Sequence, residues 1–236
     1  MTKTPIIGVL ETGRPPEELA PEHGDYLAMV TSWIDVSDAD FRVFAALDGV
    51  FPSAPDEADL WVITGSKFGA YEDHDWIAPL EAFIRACRDA DRPMMGICFG
   101  HQIIAQALGG VVRRSAKGWG LGIHDYTPVN WPDALGTAPE TIALQAFHQD
   151  QVEELPGGAH VIARSEFCEN AALWYPGFAL TVQGHPEFGR PYASALLEAR
   201  KGAVLDPGEV ETAQAGMDRT DTRADLARLI REHLLP

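Results

Sequence analysis

Three side chains in this 236-residue sequence have the types and spacing that acyl transfer requires. Cys98 sits in GICFG, residues 96–100, where a short apolar run meets a helix-like pattern. G-x-nucleophile-x-G at such a junction is the pattern of a nucleophile elbow between strand and helix. Gly96 and Gly100 flank a turn so tight that a side chain at either place would collide with neighbouring backbone. The turn lifts the sulfur out of the sheet, and the N-terminal amides of the helix favour thiolate over thiol. The amide of Phe99 is at the same time placed to donate to an oxyanion. The competing reading is a buried cysteine in an ordinary strand-to-helix turn, and one short motif does not decide between the two.

A second segment shifts the balance. In VQGHPEF, residues 182–188, a strand end delivers His185 and Glu187 with a proline between them. Proline biases the preceding residue toward extended geometry, so residues two apart can project to the same side. The carboxylate can then hold the imidazole in one tautomer while its other nitrogen faces Cys98. Nucleophile, proton shuttle and orienter are the parts that acyl transfer needs.

The elements that must position these groups are legible in the hydrophobic pattern. Short apolar runs at 6–10, 42–46, 60–64 and 94–97 alternate with longer amphipathic stretches, which predicts an α/β fold with a mostly parallel sheet flanked by helices. Residues 75–89 carry Trp76, Leu80, Phe83, Ile84 and Cys87 at helical spacing, making Cys87 a core thiol. After Gly109-Gly110, the segments 111–129 and 141–147 read as antiparallel β material added to that sheet. A last strand is expected over 178–183, followed by two helices, the second over 222–234 with Leu226, Leu229 and Ile230 on one face. No linker or repeat interrupts the chain, and residues 1–236 are expected to form one domain.

Bulk properties narrow the chemistry. The formal charge of −17, from 18 basic and 35 acidic residues, works against nucleic acid or an anionic membrane as partner and is explained by solubility. With 46% hydrophobic and 22% charged residues, neither disorder nor a membrane protein is suggested, and no apolar run is long enough to span a bilayer. MTKTPIIGVLETG lacks the apolar core and cleavage site of a signal peptide, so a cytoplasmic location is expected. Three cysteines without a CxxC pair argue against a disulfide framework or a zinc site. Cys168 lies in a polar, turn-like segment with no base beside it, which gives it no expected chemistry.

GICFGHQ at 96–102, HQDQV at 148–152 and GHPEF at 184–188, in that order, resemble the glutaminase domain of class I glutamine amidotransferases, in particular the stand-alone, GMP synthase-like group. The likeness extends over most of the chain and implies a flavodoxin-like sheet with the site at the carboxyl ends of its strands. It also implies Cys98 as nucleophile, His185 as base and Glu187 as its partner. Gln102, one turn past the nucleophile, would help hold the α-amino acid part of glutamine, and the backbone around His148 would line the same pocket. A second oxyanion amide would come from Gly65. There the chain departs from the family's Gly-Gly-Pro loop, reading ITGSKFGAYED over 63–73, in a loop that borders the acyl group. The implied cycle uses no metal or organic cofactor.

Three functions follow from these residues. The chain hydrolyses γ-glutamyl amides or peptides on its own, or serves as glutaminase delivering ammonia to a separate synthetase subunit, or keeps the fold as a non-catalytic binding module. Other candidates have plainer explanations. His101 reads as a structural, hydrogen-bonded histidine. YEDHDW at 71–76 places acidic residues ahead of a helix, where capping and the helix dipole explain them better than a metal does. KGWGLG at 117–122 lacks the spacing of a nucleotide-binding loop and reads as a turn-rich border of the active site.

Overall fold

The computed structural model describes residues 4–235. Its strands are β1 (Ile6–Leu10), β2 (Asp40–Phe44), β3 (Leu60–Ile63), β4 (Met94–Ile97), β5 (Val111–Arg114), β6 (Gly120–Pro128), β7 (Ile142–His148), β8 (Asp150–Glu154), β9 (His160–Arg164), β10 (Ala172–Tyr175) and β11 (Ala179–Val182). Its helices are α1 (Ala20–His23), α2 (Tyr26–Ile34), α3 (Ile77–Asp89), α4 (Phe99–Ala107), α5 (Arg190–Arg200), α6 (Pro207–Ala215) and α7 (Arg223–His233). Nine strands form one sheet in the order β2-β1-β3-β4-β11-β10-β9-β6-β7, while β5 and β8 pair separately. The β2, β1, β3, β4 and β11 ladder is parallel. From β11 through β10, β9 and β6 to β7 every pairing is antiparallel. The expected α/β architecture with an added antiparallel segment is therefore the fold observed.

The central strands β3, β4 and β11 are buried throughout, and their apolar side chains alternate between two cores. On one face Val9, Val62, Ile97 and Val182 meet Val30 and Ile34 of α2 and Leu226 and Ile230 of α7. On the other, Trp61, Ile63 and Met94 meet Leu80 and Ile84 of α3 and Ile103 of α4. A third cluster joins α5 and α6 to Tyr26 and Met29 of α2 and to Phe188. Cys87 is fully buried in the α3 core, and burial pushes its thiol up to about 12. Burial also pushes Cys168 up to about 12, which keeps both sulfurs as inert thiols at neutral pH.

The structure corrects four details, the first being that β5, at the start of the segment expected to extend the main sheet, pairs only with β8 in a separate ladder. The strand expected over 42–46 is β2, Asp40–Phe44; Ala46–Asp48 instead closes a 3-10 turn whose Leu47 amide donates to Glu11. Being at the sheet edge, β2 lacks the buried pattern that marks its neighbours. Three helices, not two, follow β11, because Asp206 accepts from the amides of Gly208 and Glu209 and starts a separate helix with Pro207 in its first turn. Finally, the acidic run before α3 does not cap it: the N-cap residue is Trp76, without a side-chain bond. His74 bonds Glu72 at 2.8 Å and stacks on Trp76 instead. No helix among the described residues is long and apolar enough to cross a membrane.

Candidate active site

Four adjacent parallel strands, β1, β3, β4 and β11, end on one side of the sheet, and each hands a short turn to the same place. At the end of β4, Cys98 keeps its strand-like bond to the carbonyl of Val182 at 2.9 Å and then turns with φ +51° and ψ −100°. A non-glycine residue held at positive φ stores roughly 1–3 kcal/mol. The turn closes because two Cβ atoms are missing. One on Gly96 would lie 2.7 Å from the carbonyl oxygen of Gly100, and one on Gly100 would lie 2.4 Å from that of Ile63. The next residue, Phe99, opens α4, so the first-turn amides have no intrahelical acceptor.

His185 arrives from β11. Its amide donates to Gln145 at 2.7 Å, which ties the turn to β7, and its Nδ1 meets Oε1 of Glu187 at 2.8 Å. Phe188 stacks face to face on the imidazole, with centroids 4.0 Å apart and planes 6° from parallel. Arg223, the first residue of α7, donates to the carbonyls of Pro186 at 2.7 Å and Glu187 at 3.2 Å. The Cε1 edge of the ring meets Gly65, where a Cβ would lie 2.7 Å from Cε1. The Gly65 turn is itself fixed to the end of β1: the Thr12 amide donates to Oγ1 of Thr64 at 3.0 Å, and the Thr12 hydroxyl donates to the Thr64 carbonyl at 2.8 Å.

Electrostatically, the site favours a protonated His185. Burial alone would pull His185 down, but the nearby Cys98 sulfur, then the Glu187 carboxylate bonded to Nδ1 at 2.8 Å, raise its pKa above the ordinary histidine value. The imidazole is thus biased to carry a proton whenever the sulfur is a thiolate. Cys98 is 5% exposed, His185 4% and Glu187 2%, so the three side chains are largely shielded from water.

Around this centre the remaining sequence-derived residues fall into two groups. Gln102 is buried, and its amide nitrogen donates to the carbonyl of Asp150 at 2.8 Å and to Oε1 of Gln183 at 3.2 Å. Both of its N–H groups are engaged by protein. His148 Nδ1 also meets the Asp150 carbonyl, at 3.2 Å, which makes Nδ1 the protonated nitrogen and leaves Nε2 a buried acceptor without a protein donor. Burial lowers the His148 pKa to about 3, with the nearby His124 adding to it, so the ring is neutral. The KGWGLG segment runs along this wall, with Gly120 pressed against Phe167 and His148. His101 points away from the reaction centre, bonds Thr181 at 2.8 Å and is lowered by burial to about 3. Among the described residues no group of three or more His, Cys, Asp or Glu is arranged to hold a metal ion.

Sequence reasoning passed over Gln183, Phe188, Thr12, Thr181 and Arg223. Two of them carried a signal: Thr181 and Gln183 are polar residues two apart at the end of an otherwise apolar central strand, hence on one face.

The family model for glutamine amidotransferase class-I matches residues 57–199, from the turn before β3 to the end of α5. The chain belongs to the class I glutamine amidotransferase family. Gamma-glutamyl peptidase 4 of Arabidopsis thaliana is 32% identical over 216 residues, 88% of this chain and 86% of that one. A glutamine-hydrolyzing GMP synthase subunit of Methanospirillum hungatei is 34% identical over 108 residues, 41% of this chain and 57% of that one. The solved glutamine amidotransferase of Thermotoga maritima superposes with a TM-score of 0.76 at 22% identity, covering 99% of each chain, which shows the shared fold. These likenesses support cysteine-dependent chemistry of the glutamine amidotransferase and γ-glutamyl peptidase kind for this member of the family. The end of α5 closes the matched segment, so Arg223 and its grip on the His-Pro-Glu turn lie outside it.

Proposed function

We propose that this amidotransferase hydrolyses γ-glutamyl amides, and γ-glutamyl peptides in particular, through a thioester on Cys98. The observation that carries the reading is the buried His185, bonded to the Glu187 carboxylate at 2.8 Å and within electrostatic reach of the Cys98 sulfur. In the first half of the cycle the thiolate attacks the γ-carbonyl and the π electrons move to oxygen. The amide of Phe99, with that of Gly65, receives the oxyanion. Collapse breaks the C–N bond, and the proton held on His185 passes to the departing amine. The neutral imidazole then takes a proton from water, whose oxygen attacks the thioester; collapse releases free glutamate and returns the thiolate. Glu187 keeps the Nδ1 proton in place through both halves.

Glutamyl recognition falls to the wall between α4 and β8. Nε2 of His148 is an acceptor awaiting an N–H donor, as the α-ammonium of a glutamyl substrate would provide. Gln102 shapes this wall, with its amide nitrogen already engaged. The cytoplasm is the expected location, and no cofactor takes part in the cycle.

The peptidase likeness spans 88% of the chain against 41% for the synthase relative, which favours an independent hydrolase. The second reading, a glutaminase feeding ammonia to a separate synthetase, rests on the latter likeness. Glutamate release from glutamine, γ-glutamyl dipeptides and a γ-glutamyl tripeptide separates them. Turnover of the peptides by the isolated chain, abolished in Cys98→Ala, is the expected result. Activity confined to glutamine and dependent on an added synthetase supports the second reading, and failure of a glutamine-analogue electrophile to label Cys98 refutes both.

A further inference from the structure

Gln183 is fully buried immediately after β11, and a buried carboxamide is costly unless its polar atoms are bonded. Its bonds have a definite direction. The Asp150 carbonyl can only accept, so the group of Gln102 that meets it is the NH2; the second N–H of that NH2 then donates to Oε1 of Gln183. With its oxygen committed to Gln102, Gln183 turns its own NH2 toward Cys98, where Nε2 lies 3.6 Å from the sulfur. The chain of bonds from the Asp150 carbonyl to Sγ therefore has no alternative orientation that keeps every partner.

We propose that Gln183 is a catalytic residue: its side-chain N–H donates to the Cys98 sulfur and stabilises the thiolate, and Gln102, anchored on Asp150, fixes the direction of that donor. This rests on Cys98 being the nucleophile. A hydrogen bond to a charged acceptor is worth more than one to its neutral form, so the donor favours ionisation of the thiol over its protonated state. The titratable groups within electrostatic reach of the sulfur are His185 from the turn after β11, with Glu187 bonded behind it, Tyr26 of α2, Tyr126 of β6 and Cys168. The two tyrosines and the thiol are neutral at pH 7, which leaves His185 as the ionic partner of the sulfur and Gln183 as a dipolar one.

The test is the rate at which iodoacetamide alkylates Cys98, followed by peptide mass from pH 5 to 10, in the full chain and in Gln183→Met and Gln183→Glu. Methionine keeps the length and removes the donor, while glutamate keeps the shape and replaces the donor by an acceptor. At pH 6.5 the methionine variant is expected to react about tenfold more slowly and the glutamate variant more slowly still, with the curves converging near pH 10. An unchanged rate at pH 6.5 in the folded methionine variant overturns the proposal. Should circular dichroism show that variant unfolded, Gln102→Met takes its place, because it leaves Gln183 present but frees its carboxamide to rotate. A slowing of about threefold at pH 6.5 is then expected, and an unchanged rate overturns the proposal. A wild-type Cys98 no more reactive than a free thiol at pH 6.5 overturns the nucleophile assignment together with this one. A reactive wild-type sulfur with unmoved variants leaves the nucleophile standing and removes Gln183 alone.

Discussion

Replacing Gly65 by alanine adds one methyl group to the protein and places it 2.7 Å from Cε1 of His185. Ordinary contact begins at 3.4 Å, so methyl and ring must separate by about 0.7 Å. The ring has little room to retreat, since Phe188 stacks on it at 4.0 Å and Nδ1 is held on Glu187 at 2.8 Å. The 65 turn has little room either: Thr12 grips Thr64 from below, and a Cβ on the facing Gly13 would lie only 2.6 Å from the Gly65 carbonyl oxygen. Strain is therefore shared between the turn and the imidazole. Overpacking of this kind costs about 1–3 kcal/mol, which in a chain of this size lowers Tm by about 3–10 °C. Its effect on turnover is larger. A displacement near 1 Å costs up to about a hundredfold, so kcat/KM for a γ-glutamyl dipeptide is expected to fall on the order of 50-fold in Gly65→Ala. The sulfur itself is not displaced, and alkylation of Cys98 at pH 10 should match wild type. Steady-state kinetics, a thermal melt and the alkylation rate at pH 10 check the three statements. A kcat/KM within threefold of wild type would refute the reasoning, because it would mean that the contact between the Gly65 turn and the ring does not constrain the reacting geometry.

Other perturbations read different parts of the same assembly. Glu187→Gln keeps the shape but removes the charge that supports the protonated imidazole, and should lower kcat by 10²-fold or more, on the order seen when a triad carboxylate is made an amide, with the melt little changed; near-normal kcat would remove Glu187 from the mechanism. Arg223→Met deletes both bonds to the His-Pro-Glu turn and is expected to cost about tenfold in kcat with KM unchanged, an outcome that a KM effect alone would contradict. Acid should weaken the fold. His101 and His148 bind protons only near pH 3 when folded, so the unfolded chain binds more protons below its own value of about 6.5, and each costs about 2 kcal/mol between pH 7 and pH 5. His185, raised when folded, contributes in the opposite sense and offsets about 1 kcal/mol over that window, its stabilisation being lost only as pH rises through the folded value. These three histidines together give a net loss of about 3 kcal/mol, His124, also lowered by burial, adds in the same sense, and urea unfolding that shows equal or greater stability at pH 5 would contradict it.

Local patterns made part of this assembly legible from sequence, and long-range packing hid the rest. The turn at Cys98 could be read because its requirements are local: a missing Cβ at 96 and at 100, a cysteine between them, an apolar run before and a helix after. His185 and Glu187 were legible for the same reason, being two residues apart around a proline. Gly65 came only through the family likeness. Its contact with the imidazole depends on β3 and β11 lying on either side of β4, an order set by the parallel sheet and carried by no single segment. Arg223 is further removed, since α7 begins 36 residues beyond Glu187 and the bond between them depends on how that helix packs beneath the sheet. The capping reading of the acidic run before α3 failed because His74 and Trp76, placed by their own stacking, claimed the local partners.

Gln102 lies on the face of α4 where the sequence placed it, with its amide nitrogen held by protein. Sequence put it one turn past the nucleophile on the same face of α4, and the structure has it there; what sequence could not show is that β8 brings a backbone carbonyl to that face. Once Asp150 occupies one N–H and Gln183 the other, the amide nitrogen has nothing left to offer a substrate. The acceptor on this wall without a protein donor is Nε2 of His148. On the proposed reading, the two roles meet at one carbonyl oxygen, that of Asp150, which accepts from Nδ1 of His148 and from the amide nitrogen of Gln102. Gln102→Met should therefore disturb the reactivity of Cys98 at pH 6.5 more than it raises KM, whereas His148→Leu should raise KM and leave the alkylation profile in place. If Gln102→Met raised KM alone, the amide would have to reach substrate directly, and the bond chain to Gln183 would be a packing feature without influence on the sulfur.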